Sequence, residues 1–97
     1  MAHYVTLVNF TEQGARNIKE TIKRTAAAKQ AAAAAGVTIK EVFWTQGQYD
    51  IVIISESNDE IAANAVVLNA VKGGNIRTQV MRAFTAAEMQ KILDKVA

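Results

Sequence analysis

The chain has 97 residues, of which 51% are hydrophobic and 21% are charged, and this balance excludes an intrinsically disordered protein. Its 11 basic and 9 acidic side chains leave a net charge of +2, which is too small to form a nucleic-acid-binding surface. Cysteine is absent, which excludes disulfides, thiolate metal sites and a cysteine nucleophile.

Length and apolar patterning predict one domain, residues 1–97, located in the cytoplasm. A chain of this size holds a single hydrophobic core. Apolar runs such as Ala31–Ala35 and Ile51–Ile54 fall far short of the ~20 residues that a membrane-spanning helix needs. The first residues show no basic segment followed by an apolar run, so we expect neither a signal peptide nor a membrane partner.

The first third of the chain predicts a strand followed by one long helix. His3–Val8 is rich in β-branched and aromatic residues, which favour a strand. Thr11 suits the N-cap of a helix that runs to about Ala35, and Gly36 suits the left-handed position that ends it.

The same helix is expected to be amphipathic. Acidic and basic side chains four residues apart favour ion pairs on its exposed side, which would carry Glu12, Arg16, Glu20 and Arg24. Its buried side is expected to contain the alanines together with Ile18 and Ile22.

The middle of the chain predicts a β-hairpin and a second helix. Val37–Trp44 and Asp50–Ser55 have the composition of strands, and the turn between them, Gln46–Tyr49, is short. A helix is expected to follow from Asp59 to about Lys72, closed by Gly73–Gly74. Its start is assigned to a capping box formed by Ser57 and Glu60.

The last part of the chain predicts a fourth strand and a short C-terminal helix. Asn75–Arg82 has the composition of a strand, and Thr85 with Glu88 forms a capping box. One side of the final helix is expected to carry Met89, Ile92, Leu93 and Val96.

The order β-α-β-β-α-β predicts an α+β, ferredoxin-like sandwich with a four-stranded antiparallel sheet. In this arrangement the first and third strands are central and the other two lie at the edges. The composition agrees, because the polar and charged strand residues fall on the second and fourth strands, as Lys40, Glu41, Arg77, Gln79 and Arg82.

Two helices can cover only one face of such a sheet. The other face is expected to expose apolar side chains, among them Val8, Val52, Trp44 and Met81. A bare apolar face on a small domain usually marks an interface. We therefore expect a second copy to cover it through a two-fold axis, which gives a homodimer or a higher homo-oligomer.

Three sequence blocks, Tyr4–Thr11, Gly47–Asp50 and Asn75–Gln79 continued to Ala83-Phe84, resemble the GYD-domain family over nearly the whole chain. The family letters match Gly47, Tyr49 and Asp50. The resemblance implies a ferredoxin-like fold related to the dimeric α/β-barrel proteins. That wider group includes cofactor-free monooxygenases, isomerases, haem-degrading enzymes and ligand-sensing domains, and the GYD family itself implies no particular activity.

Two functions follow as hypotheses. The first is a small oligomeric domain that binds a small, partly apolar molecule or serves as an assembly module. The second is a cofactor-independent monooxygenase or isomerase. Neither requires a cofactor, and none is expected.

The segment Gly47–Asp50 is the most distinctive short motif in the sequence. As a structural element, Gly47 permits a turn with positive φ, and Asp50 accepts hydrogen bonds from loose backbone donors. As a functional element, the Tyr49 hydroxyl and the Asp50 carboxylate lie at the mouth of a pocket, as hydrogen-bonding or proton-transfer groups.

Trp44 and Arg77 complete the candidate ligand-binding residues. Trp44 suits either packing or an aromatic ligand. Arg77 and Arg82 differ by five positions, an odd number, so they are expected on opposite faces of their strand. Either arginine is explained by edge-strand charge or by anion binding, and Arg77 is the better candidate for binding.

The alanines of the first helix allow two interpretations. Small side chains let a helix pack closely on the sheet, or they leave room for a small apolar ligand between helix and sheet. Replacing Ala27 or Ala28 by leucine distinguishes the two.

Three other functions are disfavoured. RNA-recognition domains of this fold stack bases on aromatic residues of the central strands, and Asp50–Ile54 has none. The only histidine, His3, has no clustered carboxylates, so no metal site is expected. Haem-degrading relatives use an Asn, a Trp and a His, but His3 lies in the first strand and not late in the chain.

Overall fold

The computed structural model describes residues 1–97. The chain forms four strands and four α-helices in the order β1 (Ala2–Phe10), α1 (Glu12–Arg16), α2 (Thr21–Ala34), β2 (Val37–Trp44), β3 (Ile51–Ser57), α3 (Glu60–Val71), β4 (Ile76–Ala83) and α4 (Ala86–Leu93). The strands form one sheet in the order β2-β3-β1-β4, and all neighbours are antiparallel. The predicted ferredoxin-like arrangement is confirmed. None of the helices has both the length and the apolar character that crossing a membrane requires.

The two faces of the sheet differ because side chains alternate along each strand. Tyr4, Thr6 and Val8 of β1 are buried beneath the helices. Val5 and Leu7 point to the opposite side, which we call the open face. Residues that pair directly across the sheet lie on the same face. The apolar partners of Val5 and Leu7, and the β2 partner of Val52, therefore also lie on the open face. Together they form an apolar strip: Val5, Leu7, Phe43, Val52, Ile54 and Met81.

The open face exists as predicted, but two of its expected residues lie on the other side. Val52 and Met81 are on the open face, whereas Val8 pairs with Ile51 beneath the helices and is only 1% exposed. Apolar residues fill both faces of β1, so the sequence pattern does not show which set meets the helices. The prediction that Val8 lies on the open face is wrong for this reason.

Trp44 is on the helix side because β2 contains a β-bulge. Its register against β3 shifts between Ile39 and Glu41. One extra residue reverses the side on which every later side chain lies. Ile39 and Trp44 therefore share the helix side although their numbers differ in parity, and the prediction that Trp44 lies on the open face is wrong.

The predicted long helix is interrupted at Asn17. α1 ends at Arg16, a 3₁₀ helix covers Ile18–Glu20, and α2 begins at Thr21. Asn17 has φ −101° and ψ 28°, outside the helical region. The break rotates α2 relative to α1 about the helix axis. A single helical periodicity applied to both therefore assigns residues after Asn17 to the wrong side of the helix.

The break has two consequences for the predicted sides of the helix. Ile18 and Ile22, expected to be buried, are 46% and 69% exposed. The ion pair between Arg16 and Glu12 forms at 2.9 Å, but Glu20 pairs with neither neighbouring arginine. Arg24 instead donates a hydrogen bond to the Asn17 carbonyl at 2.9 Å.

Helix ends follow the predicted chemistry with one exception. Thr11 caps α1 by accepting a hydrogen bond from the Gly14 N–H, and Gly36, with φ +84°, follows the end of α2. The capping box assigned to Ser57 and Glu60 is wrong. Asp59 caps α3 by accepting from two backbone N–H groups, because it directly precedes the helix and its carboxylate reaches them. Ser57 is the last residue of β3.

The capping box of α4 is present as predicted, with Thr85 and Glu88 bonded reciprocally. The apolar side chains of this segment are not buried in the chain. The exposed fraction of Met89 is 44% and that of Leu93 is 49%.

Acidification should weaken the start of α4. The hydrogen bond from the Thr85 backbone N–H lowers the pKa of Glu88 below its ordinary value of 4.5. The carboxylate therefore stabilises the folded state fully above pH 4.5, and this contribution is lost as the pH falls through the lower folded-state pKa. NMR chemical shifts of α4 should lose helical character over this range. Glu88→Gln should remove the transition, while Glu12→Gln on α1 should keep it; an unchanged transition in Glu88→Gln contradicts the assignment.

Candidate functional site

The three sequence blocks meet at one end of the sheet. The Asn9 side-chain amide donates to the Gln48 carbonyl at 2.8 Å, and the Phe10 N–H donates to Asp50 Oδ2 at 2.9 Å. Thr11 connects to the third block, because its N–H donates to the Asn75 carbonyl at 3.0 Å. Residues distant in sequence thus build one corner of the molecule.

The turn before Asp50 is held by backbone geometry. Gly47 has φ +139°, which favours glycine, and no atom lies within 4 Å of the position where a side chain would begin. The Thr45 hydroxyl donates to the Tyr49 carbonyl at 2.6 Å, and the Thr45 N–H donates to the Asp50 carbonyl at 2.8 Å. Glycine is therefore required here by conformation and not by a close neighbour.

Tyr49 and Arg77 lie at the same end of the open face. The Tyr49 hydroxyl donates to Gln79 Oε1 of β4 at 3.1 Å. Because β1 lies between β3 and β4, the Tyr49 side chain crosses over β1. Arg77 pairs across the sheet with Asn9, two residues from Gln79 on the same face, and forms no salt bridge.

The other two candidate ligand-binding residues point elsewhere. The Asp50 carboxylate accepts the Phe10 backbone N–H, as expected for a structural role. Trp44 lies on the helix side, where its Nε1–H donates to Thr21 Oγ1 at 3.1 Å. The four candidates thus do not line a single pocket. Arg82 lies on the face opposite Arg77, as predicted, with its guanidinium 4.5 Å from the ring centre of Phe84.

A cavity lies between the sheet and the helices α2 and α3. One part, the Tyr4 chamber, has a volume of about 80 Å³, and the other, the Arg24 chamber, has about 150 Å³. The chambers adjoin because they share lining residues of the sheet and of both helices: Val8, Ala28, Ile39, Ile53, Ala70 and Ile76. The two chambers therefore lie next to each other between the sheet and the helices.

The Tyr4 chamber is apolar apart from a few hydroxyl and amide groups. Of its 16 lining residues 12 are hydrophobic, and the polar exceptions include Thr6, Ser55 and Thr78 on the sheet. The Tyr4 hydroxyl is buried and has no hydrogen-bond partner. Burial raises the pKa of Tyr4 above its ordinary value of 10.0, so the hydroxyl is protonated at neutral pH and acts as a donor.

The Arg24 chamber has one charged lining residue. Arg24 is half-buried, and its Nη2 atom is buried without a hydrogen-bond partner. Thr21, Thr25 and Asn75 line the same chamber, so polar groups surround one part of a mainly apolar space. Asn75 belongs to the third sequence block, which connects this chamber to the corner described above.

Tyr4 and Arg24 are the residues that sequence reasoning missed. The sequence predicts only a strand position for Tyr4, and the alternation of Tyr4 with Thr6 and Val8 is the signal for its burial. The sequence predicts an exposed Arg24, because the break at Asn17 has no clear mark in it. No group of three or more histidine, aspartate or glutamate side chains is arranged to hold a metal ion.

Comparison with solved structures supports the same fold. FFRP-DM1 superposes with a TM-score of 0.58 at 19% identity, over 87% of this chain and 100% of that protein. TTHA0845 from Thermus thermophilus gives 0.55 at 22% identity, over 89% and 96%. MtbAldR superposes with a TM-score of 0.67 at 10% identity, over 87% of this chain. This chain spans about half of MtbAldR, 52% of its length.

At these identities the likeness shows the ferredoxin-like fold alone. The sequence matches no protein of curated function. The profile of the GYD domain matches residues 4–93, which include all three sequence blocks, both chambers and the open face. The chain therefore belongs to the GYD domain family.

Proposed function

We propose that this domain binds a small, partly apolar molecule in the cavity between the sheet and the helices. The observation that carries the proposal is the Tyr4 chamber with its apolar walls and the unpartnered Tyr4 hydroxyl. Binding sites typically combine apolar walls with a few polar groups that orient the ligand. A buried hydroxyl without a partner costs free energy, which a ligand acceptor would recover.

The volume sets the size of the ligand. An apolar cavity of about 150 Å³ is large enough for a molecule such as benzene. The Arg24 chamber has this volume, and the adjoining Tyr4 chamber extends it. A molecule with an apolar chain or ring and one or two polar groups fits this space.

The lining residues favour binding over the enzymatic alternative. A cofactor-independent monooxygenase or isomerase needs a group that accepts a proton. Tyr4 and Arg24 are the ionisable residues of the two chambers. Tyr4 is a neutral phenol at neutral pH because burial raises its pKa, and arginine stays protonated. Neither serves as a base, which supports a binding domain.

Filling the cavity should abolish binding without unfolding the protein. Ala28 lines both chambers, whereas its neighbour Ala27 is exposed on the same helix. We expect 1-hexanol to raise the melting temperature of the wild type and of Ala27→Leu. Ala28→Leu should bind it at least about tenfold more weakly, because the added side chain occupies the space. Calorimetric titration measures the affinities, and equal affinities for all three proteins would contradict the proposal.

We also propose that the domain associates with a second copy through the open face. The apolar strip contains Phe43 and Met81, which are 56% and 40% exposed. At its centre Val5 pairs with Ile54 and Leu7 with Val52, and these four side chains are partly exposed. The strip is centred on the two middle strands, so a two-fold axis between two sheets, parallel to their faces, would bring it against the same strip of a second copy. A stable monomer at micromolar concentration in sedimentation velocity would contradict this.

A further inference from the structure

We propose that the molecule bound in the cavity carries a carboxylate and that Arg24 binds this group. The inference rests on the proposed binding function and adds the chemical class of the ligand. Its starting point is a guanidinium group that the folded chain leaves partly without partners.

The hydrogen bonds of Arg24 are incomplete. Its Nη1 donates to the Asn17 carbonyl at 2.9 Å, while its Nη2 is buried without a partner. No carboxylate of the chain lies within salt-bridge distance of it, and Glu20, four residues earlier, is exposed. A buried charged donor without a partner is strongly unfavourable. An acceptor supplied by a ligand removes this cost.

The surroundings of Arg24 match an anionic head and an apolar body. Thr21 and Thr25 line the same chamber, and the Thr21 oxygen accepts from Trp44, which leaves the Thr21 hydroxyl proton free to donate. Asn75 adds one more polar side chain, and the other walls are apolar and include Phe10 and Ile51. An acceptor-only head group therefore fits beside Arg24, with its apolar part directed along the sheet.

A carboxylate fits this chamber better than a phosphate. Arg24 is the only charged residue among the lining residues, so the chamber offers a single positive charge. A monoanion balances that charge, whereas a phosphate dianion would leave buried negative charge without compensation. The fork of the guanidinium also matches the two oxygens of a carboxylate.

The length of the cavity indicates the rest of the ligand. The Tyr4 chamber lies next to the Arg24 chamber, and the two share the lining residues named above. An apolar chain or ring attached to the carboxylate extends into it. Tyr4 lines that chamber, and its unpartnered hydroxyl is the donor that a second polar group of the ligand would meet.

The test compares two ligands that differ only in the head group. Hexanoate and 1-hexanol are titrated calorimetrically into the wild type, Arg24→Gln and Lys23→Gln. Lys23 is the exposed cation next to Arg24 on α2 and controls for net charge. We expect Arg24→Gln to weaken hexanoate binding by about 10–100-fold, the usual effect of losing a charge-assisted hydrogen bond, and to leave hexanol binding unchanged. Lys23→Gln should change neither affinity.

The possible outcomes separate this inference from the proposed function. If hexanol binds and Arg24→Gln leaves the hexanoate affinity unchanged, or if hexanoate does not bind, the carboxylate assignment is wrong while the binding function stands. If neither ligand binds the wild type, both fail. Circular dichroism monitors the folding of each variant. Arg24→Lys keeps the positive charge but lacks the guanidinium fork, so it should give an intermediate hexanoate affinity. It replaces Arg24→Gln in the test if that variant does not fold.

Discussion

Replacing Gly14 by alanine should lower the free energy of unfolding by about 1–3 kcal/mol, the usual cost of overpacking a closely packed site. Gly14 is buried in α1, next to the loop between α3 and β4. A Cβ atom at this position would overlap the carbonyl oxygen of Asn75 and lie 2.9 Å from its carbonyl carbon. Helix propensity alone predicts the opposite sign, because alanine stabilises a helix by up to about 1 kcal/mol relative to glycine. The clash with backbone atoms decides the sign.

The clash cannot be relieved by a small movement of the loop. Thr11 donates hydrogen bonds to the carbonyls of Asn75 and Gly74, and Gln13 donates to the carbonyl of Gly73 and the side chain of Asn75. Separating α1 from the loop would stretch these bonds. Each lost bond costs about 1 kcal/mol, so either response destabilises the protein.

Gly73→Ala is the matched control for this prediction. A Cβ at Gly73 has its nearest neighbour at 3.5 Å, an ordinary contact, and Gly73 does not have positive φ. We expect its free energy of unfolding to stay within about 0.5 kcal/mol of the wild type. Urea denaturation at one protein concentration measures both variants through the shift in midpoint at constant slope. Equal midpoints for the two variants would contradict the prediction, because they would mean that the loop moves away from the added Cβ without loss of stability.

The fold was predictable because its signals are local and agree with each other. Turn glycines, cap residues and strand composition each mark an element within a few residues, as Thr11, Gly36 and the Thr85–Glu88 pair show. The order of elements then gives the strand order. Where two cap residues stood close together, as Ser57 and Asp59 do, the sequence did not decide between them.

The side of a strand or helix on which each residue lies was less predictable, because it depends on counting residues along an uninterrupted element. One bulged residue in β2 moves Trp44 from the open face to the helix side. One non-helical residue, Asn17, exposes Ile22 and turns Arg24 toward the Asn17 carbonyl and the cavity. Each interruption is small, yet it changes every later assignment in its element.

The candidate site shows the same limit. Sequence blocks identified Tyr49 and Arg77, and both lie at the corner where the blocks meet. The cavity, in contrast, arises from the distance between the helices and the sheet, which no single residue encodes. The interpretation that the alanines leave room for a ligand named Ala27 and Ala28. Ala28 lines both chambers, whereas Ala27 is exposed. Ala32 is fully buried, so close packing and open space occur along one helix.

Ile54→Lys should weaken self-association by about 100-fold or more. Ile54 lies at the centre of the open face, opposite Val5 on one side and Glu41 on the other. In a two-fold dimer each copy would bring one lysine into the same apolar interface. Desolvating an ammonium costs several kcal/mol, which pairing with the neighbouring Glu41 carboxylate offsets only in part, and about 1.4 kcal/mol corresponds to each tenfold change in affinity. In the monomer the lysine head group remains in water, so the fold should persist.

Ile61→Lys makes the same chemical change on the outer side of α3, where Ile61 is 84% exposed. Sedimentation velocity across micromolar concentrations should show the wild type and Ile61→Lys as dimers and Ile54→Lys as a folded monomer. Equal behaviour of the two lysine variants would mean that the open face is not the contact surface. Because the two changes add the same charge and remove the same side chain, a difference between them reports the location of the interface and not the net charge of the protein.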